Sequence, residues 1–224
     1  MERAACCLLL VSLLAGCGYV NLRSGGGPGG EVTGSGNRRT ERRELQGFDR
    51  LLVEGAYRVE VACGGAGPSL EIEADDNLLP LIRTPVEGGR LRVHSERGLS
   101  MKALPVLRIT VPDLREIELP GASDFTLTGV RNESLTIDVP GASKLRVEGE
   151  TGRLEVNLSG AGLVDAEGLR ARHVAANCSG AGSISVHASE ALDASVSGVG
   201  TINYAGDPAT VNSNVSGLGR INRK

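Results

Sequence analysis

The chain has 224 residues, with 32 Gly, no Trp, 3 Tyr and 2 Phe, and a formal net charge of −3. Aromatic rings bury ~150–250 Å² each, so a chain nearly without them must fill its interior with Val, Ile, Leu and Ala, which points to a thin core. Residues 18–45 hold five Arg and three Glu (+2), and residues 46–224 hold 18 basic and 23 acidic groups (−5), a balance that lacks the basic patch interleaved with aromatics by which nucleic acid is bound.

MERAACCLLLVSLLAGC opens the chain with one Arg and an apolar run from Ala4 to Leu14. That run suits the apolar region of an export signal and is short of the ~20 residues a spanning helix needs. Leu14-Ala15-Gly16-Cys17 resembles the bacterial lipobox, which implies a diacylglyceryl thioether on Cys17 and cleavage just before it. Arg3 stands alone and is partly offset by Glu2, a departure from the usual basic start. The alternative is an ordinary signal peptide with an incidental Cys. Gly18 is not the Asp that retains many such proteins on the inner membrane, so an outer-membrane lipoprotein is expected.

Residues 18–45, including YVNLRSGGGPGGEVTGSGNRRTERRE, are rich in Gly and Arg and show no apolar period. They are expected to be a disordered tether with a reach on the order of 30 Å. Its arginines read as a solvated charged linker more readily than as a headgroup-binding stretch. The expected organisation is a signal peptide over 1–17, a tether over 18–45 and one folded domain over 46–224.

The first part of that domain is irregular. FDRLLVEGAYRVEVAC, PSLEIEA, GRLRVHSE and PVLRITVPDLREIEL read as strands, and NLLPLI as a brief helical turn after Asp75-Asp76. Glu54-Gly55-Ala56 faintly echoes a small-residue signature that recurs later in the chain.

That signature starts at Pro120: PGAS at Pro120 and Pro140, SGAG at Ser159 and Ser179, SGVG at Ser197, SGLG at Ser216. The steps are 20, 19, 20, 18 and 19 residues. The residue before each signature is apolar, from Leu119 to Val215. A second apolar column holds Phe125, Leu145, Val164, Ile184, Ile202 and Ile221, each followed by a polar residue. This period-two alternation marks half-buried strands. No copy carries a helical stretch, and one coil cannot bury its own apolar face. Six stacked coils of about 19 residues therefore make an all-β parallel β-solenoid with glycine corners. Aligned columns put Asp124 beside Lys144 and Arg146 beside Asp165, and place Glu148, Glu167 and His187 in one further column.

The SGxG corners, the GTIN and GRIN endings at Gly200 and Gly219, and LEIEADDNLLPLI resemble the putative auto-transporter adhesin, head GIN domain family, over roughly Phe48 to Ile221. That resemblance implies a right-handed β-helix of pectin-lyase-like shape, an envelope setting and an adhesion role, and supplies no catalytic residues.

An enzyme acting on envelope polysaccharides is the alternative. Stacked Glu148 and Glu167 are its candidates, although carboxylates on adjacent rungs are commoner as solvated surface. His94, His173 and His187 are scattered, so no metal ligands and no cofactor site are expected. The tripeptides at Asn132, Asn157, Asn177 and Asn214 match the glycosylation pattern; three of them are by-products of the repeat, and all four read as structural Asn. Cys63 and Cys178 fall on coils too far apart for a disulfide. Arg220, Arg223 and Lys224 on the last coil should discourage edge pairing, so a monomer is expected. The function expected is a lipid-anchored, non-enzymatic binding or scaffolding protein. It reaches the membrane through Cys17, and its partner is an envelope protein or a surface polymer.

Overall fold

A computed structural model describes residues 30–224. The signal peptide, Cys17 and the first part of the expected tether lie outside the described residues. Alternating sequence becomes strand: β1 (Val32–Thr33), β2 (Arg38–Glu44), β3 (Arg50–Val53), β4 (Arg58–Cys63) and β5 (Ser69–Asp75) precede a single 3₁₀ turn at Leu79–Leu81. Then come β6 (Ile82–Arg83), β7 (Val86–Glu87), β8 (Arg90–Ser95), β9 (Leu99–Ser100), β10 (Val106–Val111) and β11 (Glu116–Glu118). The repeats supply β12 (Asp124–Val139), β13 (Lys144–Leu158), β14 (Leu163–Cys178) and β15 (Ser183–Val196). β16 (Thr201–Ala205), β17 (Thr210–Val215) and β18 (Arg220–Arg223) end the chain.

β12 to β15 pair in parallel, with Asp124 beside Lys144 and Arg146 beside Asp165, as the column alignment expects. Six signature corners delimit five complete turns of a parallel β-solenoid. Phe125, Leu145, Val164, Ile184 and Ile202 point inward and are at most 1% exposed. The Arg146–Asp165 ion pair forms at 3.8 Å. Asp124 is in register with Lys144, but its carboxylate pairs with Arg58 on the coil before, also at 3.8 Å.

The corners stack backbone directly on backbone. A β-carbon on Gly121, Gly141, Gly160, Gly180, Gly198 or Gly217 would lie within 2.6 Å of backbone atoms of the preceding corner. Gly121 meets Gly55, so the echo at Glu54-Gly55-Ala56 is a seventh corner. β3 and β4 flank it and pair with β11 and β12. Everything from Gly64 to Arg115 is thus an insertion between the first coil and the second. It folds back as a cap: β10 pairs parallel to β4, β5 antiparallel to β10, and β2 antiparallel to β5. On the other leg β8 adds to β3, with β6 and β7 on β8.

β2 corrects the tether. From Arg38 to Glu44 the chain is a strand of the cap, and Val32–Thr33 already pairs with Leu99–Ser100. The folded unit therefore begins well before residue 46. β2 is held by its ladder and by ion pairs rather than by an apolar face. Arg38 meets Glu73 at 3.0 Å and Arg42 meets Glu71 at 3.2 Å. The inward Arg43 guanidinium donates to Ile82 O at 2.7 Å, Leu79 O at 3.0 Å and Thr84 Oγ1 at 3.1 Å. A strand built from charges has no apolar period to read.

Because no β-carbon fits at a stacked corner, Gly160→Ala should destabilise the fold by about 3 kcal/mol, at the upper end of overpacking costs. Gly67→Ala, where nothing lies within 4 Å, should change stability by less than about 0.5 kcal/mol. Urea midpoints of the two variants check this; equal midpoints would show that corner contact does not limit stability.

Candidate functional site

Two sheet faces flank the corner row; short polar residues line the register next to the corner on the entering leg, and the leaving leg mixes them with Lys144, Arg146 and Leu163. On the leg entering the corner, Asp138, Asn157, Asn177, Ser195 and Asn214 occupy one register. Asn157 Nδ2 donates to Asp138 Oδ1 at 2.9 Å and Asn177 Nδ2 to Asn157 Oδ1 at 3.0 Å. On the leg leaving it, Asn222 Nδ2 donates to Asn203 Oδ1 at 3.2 Å. Each of these donating amides has a side-chain oxygen one rung away, a carboxylate for Asn157 and an amide carbonyl for Asn177 and Asn222, so the ladders are held in one geometry while their outer atoms face solvent. Asn132 donates to Asp113 and Leu114 instead, at 3.1 and 2.8 Å. Asn214 lies exposed on the last coil.

The PGAS copies have a structural reason. Ser123 and Ser143 are buried and bridge corners: Ser123 Oγ donates to Gly55 O at 3.2 Å, Ser143 Oγ to Gly121 O at 3.1 Å. In later copies Gly162, Gly182, Gly200 and Gly219 take that place, and Leu158, Cys178 and Val196 side chains fill the space.

The expected column of Glu148, Glu167 and His187 is not formed. The ladder shifts register at the bend between Arg146 and Gly149 and again between Ala166 and Arg170, so His187 pairs with Arg170. Glu148 is held by Arg146 at 3.1 Å, and Glu167 by Lys224. Each carboxylate is exposed and engaged with a cation of its own, an arrangement of surface charge. His173 pairs with Glu190 at 3.4 Å, far along the chain from His94. Among the described residues no three His, Cys, Asp or Glu side chains gather closely enough to hold a metal ion. Cys63 ends β4 and Cys178 ends β14, both as free thiols, three rungs or about 14 Å apart along the stack. Cys17 lies outside the described residues.

Where the cap meets the first corner, the surface opens into a depression of about 1200 Å³. Glu54, Ala56 and Tyr57 form one wall, and Arg92, His94 and Arg97 the other. Arg92 bridges to Glu54 at 2.7 Å, and Arg97 Nη2 donates to Gly30 O at 2.8 Å. His94 Nδ1 is buried there without a hydrogen-bond partner among the described residues. Tyr57 is 1% exposed; burial, and secondarily the Glu54 carboxylate, push its phenol up to about 12. Its ring lies under Gly55, whose φ of +118° would strain any side chain. Sequence reading missed this depression, because the inserted cap brings its two walls together and neither carries a motif.

Residues 47–208 match the family described as putative auto-transporter adhesin, head GIN domain. Among solved structures, the fold is shared with a putative adhesin from Bacteroides fragilis, at 23% identity and a TM-score of 0.70, covering 86% of this chain and 100% of that one. A putative adhesin from Parabacteroides merdae is similar at 21% identity and TM-score 0.58, over 87% and 99% of the two chains. One from Parabacteroides distasonis is similar at 18% and 0.55, over 87% and 100%. No curated protein matches the chain.

Tyr57 gives the depression a pH signature. Its phenol has a folded value of about 12 against about 10 in the unfolded chain. The neutral form is therefore the one the fold favours. Its contribution is complete below pH 10 and is lost as pH rises from about 10 to about 12, by up to about 3 kcal/mol. Tyr57→Phe should flatten urea stability over that window. An unchanged alkaline loss in the variant would assign it to another group.

Proposed function

The chain belongs to the putative auto-transporter adhesin, head GIN domain family, and from that premise we propose that it is a lipid-tethered binding or scaffolding module of the bacterial envelope, acting in adhesion. The family description sets it among extracellular or envelope-associated adhesins. One observation carries the reading further: the pre-ordered ladder of Asp138, Asn157 and Asn177 on a flat solenoid face. A flat face of fixed donors and acceptors suits many weak contacts, multiplied by local density on a membrane, better than one deep pocket. Its partner is a surface polymer or another envelope protein. The anchor is the thioether on Cys17, and Gly18 after it favours the outer membrane. Adhesion requires no turnover, in keeping with a non-enzymatic protein.

Cys17→Ala should release the protein from the membrane fraction with its fold intact by circular dichroism; continued retention would remove the anchor from the reading. Asn157→Lys with Asn177→Lys should lower attachment of membrane-displayed protein to envelope material at least about tenfold, or about 1.4 kcal/mol. Undiminished attachment by a folded double variant would move the binding face elsewhere, and cleavage of envelope glycans by the wild type would overturn the non-enzymatic reading.

A further inference from the structure

The end of the solenoid is asymmetric. β18 carries Arg220 and Arg223, with Lys224 just after it, the charges on which the expectation of a monomer rests. The last coil has a second edge, β17, whose sequence TVNSNV contains no charge and no proline. All six of its residues are exposed. β17 pairs with β15 on one side, and no described strand pairs with the other. Val211 and Val215 continue the inward columns of Leu192 and Val196. The residues one coil in are 0% exposed, whereas Val211 is 41% and Val215 45% exposed. The core is built up to this edge, and no described residue covers it.

We infer that β17 is a self-association edge, pairing antiparallel with β17 of a second copy about a twofold axis at Ser213. In that register Val211 faces the other copy's Val215, Ser213 faces its own equivalent, and Asn212 faces Asn214. Opposite residues of an antiparallel pair lie on the same face of the sheet. The valines therefore continue the core face and the asparagines continue the polar ladder on the outside. Shifting the register by one residue would set valine against asparagine and break both.

Charge fits the same pairing. Antiparallel strands bring the start of one to the end of the other, so Asp207, just before β17, comes to the end where the other copy's chain turns into Arg220. Both copies contribute this contact, as a twofold interface requires. Asp207 has a side chain 92% exposed and lies beside Arg223 at 2.7 Å, and Arg220 has no carboxylate within ion-pair reach among the described residues. The edge at the other end, β2, holds four Arg and two Glu, so head-to-tail stacking would bring basic β2 against basic β18. The twofold arrangement avoids that. A lipid surface fits less well, because hydrocarbon cannot satisfy the open N–H and C=O groups of β17. Self-association at this edge goes beyond the adhesion reading and does not depend on it.

The test uses the full chain extracted from membranes in mild detergent. Ser213→Cys places two thiols across the axis at a Cα separation of about 4.5–5.5 Å, within the range of a disulfide. A copper–phenanthroline oxidant should take two electrons and two protons from the pair and give a covalent dimer. Thr210→Cys, out of register, should yield at least about tenfold less dimer, and the wild type should yield none, since Cys63 is half-buried, Cys178 is buried and, in the proposed mature form, Cys17 begins the chain and carries the lipid. Ser213→Lys and Ser213→Glu should each abolish association, and differently tagged copies of the two, co-expressed, should recover one another. That recovery excludes misfolding as the cause of the single losses. Equal dimer from both cysteine variants would overturn the proposal, as would a wild type that stays monomeric at about 100 μM or a lysine–glutamate pair that fails to associate.

Discussion

At the corner of each coil the glycine carbonyl of one turn rests against the α-carbon of the next, closer than any side chain permits. That contact holds neighbouring legs at the rung spacing of a sheet, about 4.8 Å, on both sides of the bend. Once the corners are in step, like residues stack on like for the length of the solenoid. The inward columns can then be filled with Val, Ile, Leu and Ala, because each coil seals the one before it. A globular core of this size would lean on aromatic rings. Here Phe48, Tyr57 and Phe125 are the rings buried among the described residues, and all three lie near where the repeats meet the irregular cap.

Wherever one residue set repeats, its structure is legible. The six signature corners, the columns from Phe125 to Ile202 and the Arg146–Asp165 pair all emerge from aligning the chain on itself. Legibility stops where a position is determined by something other than its own column. β2 reads as a tether because its inward residue is Arg43, satisfied by carbonyls of the 3₁₀ turn far along the chain. The column of Glu148, Glu167 and His187 fails because the bend absorbs different numbers of residues in successive coils, and a register shift is invisible to a fixed-step alignment. Gly55 could be glimpsed but not placed, since the cap from Gly64 to Arg115 interrupts its coil. The depression beside it depends wholly on that interruption.

The two ends of the described solenoid differ in how their edges are treated. A parallel stack has no natural last coil, because every coil offers the next the same ladder of N–H and C=O groups and the same uncovered apolar column. At the N-terminal end the chain turns antiparallel: β5 reverses direction against β10, and β2 closes the sheet with a strand laced by Arg–Glu pairs. Both the apolar column and the growing edge are thereby ended. At the C-terminal end nothing equivalent happens on the β17 leg. The corner residues also change there, from Ala122, Ala142, Ala161 and Ala181 to Val199 and Leu218, which are 60% and 88% exposed. Leu163 apart, the exposed large apolar side chains among the described residues are thus gathered toward one end of the molecule, the pattern that marks an interaction surface.

Placement of the two ends relative to an anchor gives this asymmetry a use. The described chain enters at Gly30, which Arg97 holds at the rim of the cap. With the proposed lipid on Cys17, the capped end is therefore the one drawn toward the membrane. The six steps from the Gly55 corner to the Gly217 corner then carry the β17 edge outward by about 29 Å, at about 4.8 Å per turn. An edge that joined copies near the membrane would compete with the tether for space; one at the far end leaves each copy free to be anchored separately. Under the proposed twofold pairing, two anchored chains would be joined tip to tip, either across the gap between two apposed membranes or, with both tethers bent back, on one. In both cases the polar ladders flank the joined tips on a sheet twice as long. Weak contacts along such a face gain from length as much as from number, so the uncovered edge and the flat ladders serve the same end.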